Sequence, residues 1–150
     1  MADDKSKVVY TDDEIPTTGS RIGYVITIVI NGLLLWVVFN LVEGGWLPFI
    51  TPEFDEAVPA IAASLLATMV MSTVYLFTRS EPVRVIGEFF LAVVGFWATL
   101  QLYVTWPFDF SIYPNVDWDF IVRLLLGLAV FGTGVAVLAN LVRLLRIGRR

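Results

Sequence analysis

The chain contains no cysteine and no histidine. Without cysteine there is no disulfide, no thiol redox centre and no cysteine-held iron–sulfur cluster. Without histidine there is no bis-histidine haem, no Ser-His-Asp triad and none of the usual zinc ligand sets. Charge is scarce too. Asp, Glu, Lys and Arg make up 16% of residues, against about 25% in an ordinary soluble domain. Basic residues are missing altogether from two stretches, 43–58 and 107–119, which hold only acids.

Apolar residues fill the gap. The sequence is 57% hydrophobic with a mean hydropathy of +0.78, a membrane composition for a single domain of 150 residues. The last long apolar run, Trp118 to Arg146, reads WDFIVRLLLGLAVFGTGVAVLANLVRLLR. Between Phe120 and Val142 its only ionisable group is Arg123, so it is long enough to cross a bilayer. Three further runs precede it, and the expected spans are about 21–42, 58–78, 83–105 and 119–143. Gly44-Gly45 ends the first. Thr51-Pro52 is a helix-start signal, with Glu53, Asp55 and Glu56 placed where the helix dipole favours acids. The TRSEPV turn at 78–83 is short enough to require antiparallel neighbours. Aromatic residues crowd the two acidic loops, Trp46, Phe49 and Phe54 in one and Phe108, Phe110, Tyr113 and Trp118 in the other, as suits a membrane interface.

Residues 1–20 form an acidic, flexible tail without the pattern of a cleaved signal peptide. Within it, Val8-Val9-Tyr10 is the segment suited to docking on a partner. Lys5, Lys7, Arg21, Arg79, Arg84, Arg143, Arg146, Arg149 and Arg150 all fall on one side of a four-span path, and the opposite loops carry none. The positive-inside rule therefore puts both termini in the cytoplasm. The expectation is an all-α integral membrane protein, a four-helix antiparallel bundle crossing a prokaryotic plasma membrane.

The pieces GWLPFITPEF, WPFDFS and LVRLLLGLAVFGTG resemble those of a family of small four-span bacterial integral membrane proteins with no assigned activity. The resemblance covers nearly the whole chain. It implies the four-span topology and no particular chemistry. Other four-span families depart from this sequence. Claudins carry a long first extracellular loop with paired cysteines, disulfide-forming quinone reductases need cysteine, and small multidrug exporters place their membrane Glu in the first span, whereas Glu88 here lies in the third.

Ionisable groups inside spans are rare and often functional. Two qualify, Glu88 and Arg123. Glu88 has Arg84 one turn earlier and Arg143 on the fourth span as ion-pair candidates, and Arg123 has Asp119, Asp109 and Glu43. The competing reading makes Glu88 a proton or cation site near Ser72, Thr73 and Asn140. Asn31 and Gln101 are the other intramembrane polar residues. Asn31 shares a face with Tyr24 and Thr27 and is expected to bond to a neighbouring helix. Small residues mark packing faces: Ala60, Ser64, Ala67 and Met71 on the second span, Gly127 and Gly134 with Arg123 on one stripe of the fourth, and Gly132, Ala136 and Ala139 with Arg143 on another.

Catalysis finds little support. Every Asp lies in a tail or loop, no Lys lies in a span, and Gly132-Thr133-Gly134 sits inside an apolar helix rather than in a phosphate-binding loop. The sequence thus points to a non-enzymatic structural or accessory membrane protein, without cofactor, metal or nucleic-acid partner, that self-assembles or joins a larger membrane complex. A small cation channel or transporter, with acidic outer loops concentrating the ion, is the alternative. The topology is directly testable. With single cysteines at Ser6, Ser80, Ser111 and Gly148, only the one at Ser111 should react with an impermeant reagent applied outside cells, and external labelling at Ser80 would break the four-span path.

Overall fold

The computed structural model describes residues 18–78 and 80–148. The tail through residue 17, with Lys5, Lys7 and the Val8-Val9-Tyr10 segment, lies outside the described residues, as do Arg79, Arg149 and Arg150. The protein is all-α, built from α1 (Thr18–Gly44), α2 (Phe54–Phe77), α3 (Glu81–Thr105) and α4 (Trp118–Ile147). Each helix is long and apolar enough to span a membrane.

Local chemistry explains where each helix starts and stops. Gly45, with φ at 55°, takes the left-handed conformation that closes α1, which glycine adopts without steric cost. Ahead of α2, the carbonyls of Thr51 and Pro52 accept from the amides of Phe54 and Asp55 at 3.0 and 3.1 Å, winding the chain into the helix. α2 begins at Phe54, four residues before the expected start, and takes in Pro59. Proline this near an N-terminus removes one backbone donor and leaves the rest of the ladder intact. The start of α1 at Thr18 is earlier than residue 21, and α4 runs past 143 to Ile147, because apolar periodicity locates the span and not the frayed or polar turns beyond it. Pro82 occupies the first turn of α3 behind an extended Ser80. Asp117 caps α4, its carboxylate accepting from the Phe120 amide at 3.1 Å.

The helices pack in sequence order. α1 lies against α2, α2 against α3 and α3 against α4, and among the described residues no other helix pair comes into contact. The outer members α1 and α4 are therefore flanked by protein on one side only. Burial is deepest where α2 meets the loops: Ala57, Ala60, Phe54 and Pro107 are almost completely enclosed. Along the second-span stripe, Ala60 is buried while Ser64, Ala67 and Met71 are half-buried.

The small residues separate by what they face. Gly87 makes room between α2 and α3, since a Cβ there would overlap the ends of the Met71 and Tyr75 side chains. Gly134 looks onto Phe96 and Gly127 onto Tyr103, at 3.5 and 3.9 Å from where a Cβ would sit, so both face α3. Gly132 has open space around it, Ala139 is exposed and Ala136 half-buried. Gly95 also meets nothing within 4 Å, so the face it shares with Glu88 is not a tight seam along its length.

This sorting predicts a contrast. Gly87→Leu must displace Met71 and Tyr75 and should cost on the order of 1–3 kcal/mol. Gly132→Leu, entering open space, should leave the melting temperature of the single chain unchanged in a detergent titration.

Candidate functional site

Polar chemistry gathers at the two ends of the molecule. At the end where α1 and α3 begin and α2 and α4 finish, Glu88 on α3 receives two guanidinium groups. Arg84 Nε donates to Oε1 at 3.0 Å, and Arg143, reaching across from α4, donates to Oε2 at 2.9 Å. The i,i+4 spacing on α3 supplies the first contact, and the α3–α4 packing supplies the second. The Glu88 side chain is 29% exposed, and both arginines are more than half exposed. Tyr75 on α2 donates its hydroxyl to the Arg84 carbonyl at 3.2 Å, and its ring lies 5.8 Å from that of Tyr24 on α1. The cluster thus links all four helices at one level.

At the opposite end the two loops are stitched together by backbone. The Thr51 amide donates to the Pro107 carbonyl at 3.0 Å and the Asp109 amide to the Phe49 carbonyl at 2.8 Å, forming an isolated antiparallel bridge between Ile50 and Phe108. Above it the rings of Phe49, Phe110 and Phe108 stack in order, 5.5 and 5.8 Å apart and within 22° of parallel. Trp106 meets Phe108 edge-on at 5.5 Å. The Trp106 indole N–H donates to Asp119 at 3.1 Å, Arg123 approaches the same carboxylate at 3.6 Å, and the Arg123 guanidinium lies 4.2 Å over the Trp106 ring. Of the partners proposed for Arg123, the structure selects Asp119, with Trp106 as an addition. Trp106 also ends α3 in the left-handed conformation at φ 47°, a strained position for a bulky residue that these contacts hold in place.

Two loop carboxylates are held below the usual carboxylate range. Asp109 is lowered by the Ser111 backbone amide, which donates to it at 3.0 Å, and by the Ser111 hydroxyl. Glu53 is lowered by the Thr51 hydroxyl and then by its own amide.

Between the ends, polar side chains turn back on their own helices. Asn31 donates to the Thr27 carbonyl at 2.8 Å, so its bond is local and not the interhelical one expected. Thr27, Thr68, Thr73, Thr99 and Thr133 bond carbonyls one turn earlier in the same way. Gln101 donates to Thr105, 3.3 Å away on α3. Asn140 is half-buried on α4, and Ser72 is buried on α2. No buried side-chain nitrogen or oxygen among the described residues lacks a partner.

Sequence reasoning passed over Gly87, Tyr75 and Trp106. The signals for Trp106 were its place before Pro107 and its distance of thirteen positions from Asp119, neither of which announces a tertiary contact. No family model, curated protein or solved structure matches the chain.

The Glu88 cluster yields a prediction. Glu88→Gln leaves two arginines without their shared counter-charge, and Arg143→Gln cuts the α3–α4 link alone. Each should destabilise the chain, by roughly 1 kcal/mol at this partly solvated level, and the two effects should be less than additive in a double variant when melting is followed in uncharged detergent.

Proposed function

We propose that the protein is a non-enzymatic structural or accessory subunit of the plasma membrane, four antiparallel spans with both termini in the cytoplasm, that self-assembles or joins a larger membrane complex. The observation that carries this reading is the open row of helices. α4 has no buried residue anywhere along its length, and it presents Gly132 and Ala139 on an exposed side. Small residues facing away from the chain's own helices allow another helix to approach closely in lipid, where van der Waals fit rather than hydrophobicity drives association. The gathering of Arg84 and Arg143 at one end, with loops free of Lys and Arg at the other, supports the cytoplasmic placement of the termini. The family resemblance of the loop and fourth-span pieces favours the same topology.

The engagement of both Glu88 oxygens by arginine weighs against a cation-transport role at that residue, because a site for a passing ion needs ligands that are not already neutralised. The intrahelical bonding of Asn31 and the threonines weighs the same way, since it leaves few polar groups to line a water-filled path.

The decisive measurement is the mass of the complex cross-linked in native membranes. A species heavier than the 16.8 kDa chain is expected. Gly132→Leu should shift it toward the single chain while leaving the fold intact, whereas Gly134→Leu should loosen α3 against α4. Single chains alone in native membranes, with both variants folded, would remove the assembly reading.

A further inference from the structure

We propose that the aromatic hollow at the loop end is a binding site for a small lipophilic monocation, an organic cation carried on an apolar body. The hollow has a volume of about 400 Å³, within the range of small-molecule sites. Its walls are Phe49, Phe108, Phe110, Tyr113, Trp118 and Val122, which offer almost no polar atoms. An apolar body is what such a wall accepts.

The sign of the charge follows from the rim. A second hollow shares Phe108, Phe110, Tyr113 and Trp118 with the first and is edged by Asp109, Asp117 and Asp119. Neither loop contains a lysine or arginine. Arg123 is committed to Asp119 and to the face of Trp106, and among the described residues Asp109 and Asp117 form no ion pair. Both are fixed in place, Asp109 by the Ser111 amide and Asp117 by the Phe120 amide, so the negative charge is already positioned before any ligand arrives. Aromatic ring faces are themselves negative and attract cations, most strongly where water is excluded. Carbon walls beside fixed carboxylates therefore suit an amphiphile with its charge at the aspartates and its bulk against the rings.

The same features argue against other occupants. An anionic lipid headgroup would face these two carboxylates. A second copy of this loop end brings the same acidic rim and is repelled. Among the described residues no three acids converge on a metal-sized position, which leaves the rim suited to a diffuse organic charge. The site is separate from the α4 face invoked for assembly, so the two ideas fail independently.

The test uses the full chain in nanodiscs of zwitterionic lipid, with empty nanodiscs as the blank. Two probes of matching shape and opposite charge, tetraphenylphosphonium and tetraphenylborate, are followed by equilibrium dialysis. Saturable binding of tetraphenylphosphonium at one molecule per chain is expected, with none for tetraphenylborate. Asp109→Asn combined with Asp117→Asn keeps the acceptors for the Ser111 and Phe120 amides and removes the charge, so it should weaken binding roughly tenfold in a chain that still melts cooperatively. Should that variant not fold, Val122→Trp fills the hollow from α4 while leaving every carboxylate, and should abolish binding. The proposal is overturned by absence of saturable phosphonium binding, by equal binding of the borate, or by a folded variant of either kind that binds as the wild type does. A phospholipid or second chain seen on the hollow by native mass spectrometry, and not displaced by the phosphonium, overturns it as well.

Discussion

Hydrocarbon offers no hydrogen bonds, so a chain that crosses it must satisfy its polar groups from within. This protein meets that demand one helix at a time. Asn31, Asn40 and five threonines bond carbonyls of their own helices, each four residues back. A hydroxyl satisfied in this way can face lipid or protein at little cost, and so specifies no partner. Among the described residues the side-chain hydrogen bonds that reach from one helix to another then lie at the two ends.

The two ends use different means. The termini end is held by charge, through the Arg84–Glu88–Arg143 cluster and the tyrosine pair beside it. The loop end is held by backbone and rings, through the Ile50–Phe108 bridge and the stack that runs from Phe49 to Trp106. Pro107, which ends α3 and supplies the carbonyl to Thr51, is almost completely enclosed there. Each end also carries a solvent-exposed ion pair, Arg84 and Arg143 on Glu88 at one and Arg123 on Asp119 at the other, so salt weakens both, and the backbone bridge and ring stack are the part of the loop end that it leaves.

Much of the architecture was legible because the spans are long, uninterrupted apolar runs and because glycine, proline and capping aspartate mark their limits. The ion pairs at Glu88 and Arg123 were within reach for the same reason: i,i+4 spacing is a local property, and Arg143 sits at the depth its position in the fourth span dictates. What stayed hidden depends on distance in sequence. Nothing in the spacing of Asn31, Thr27 and Tyr24 distinguishes a bond to a neighbouring helix from one to the residue's own backbone. The pairing of Phe49 with Asp109 joins loops sixty residues apart through main-chain atoms common to every residue type. Gly87 was overlooked because a single glycine beside larger neighbours leaves no stripe, although it is the glycine into whose place Met71 and Tyr75 of α2 reach. The serial packing of α1 to α4, with no contact between the first and last helices, is likewise a matter of crossing geometry that apolar faces alone do not encode.

That serial arrangement sets how a disturbance travels. α3 and α4 are clamped at both ends, by Glu88–Arg143 at one and by Trp106 with Asp119 and Arg123 at the other, so they behave as one unit. Among the described residues α1 packs on α2 alone, with the Tyr24–Tyr75 pair at one end, while the bridge between Ile50 and Phe108 ties the loop that follows α1 directly to the loop that precedes α4. Along its length α1 thus meets one helix of the chain, whereas α4 is clamped to α3 near both ends. The left-handed turn at Trp106 holds strain at the loop end, and its ring is at once the edge of the aromatic stack and the resting place of Arg123.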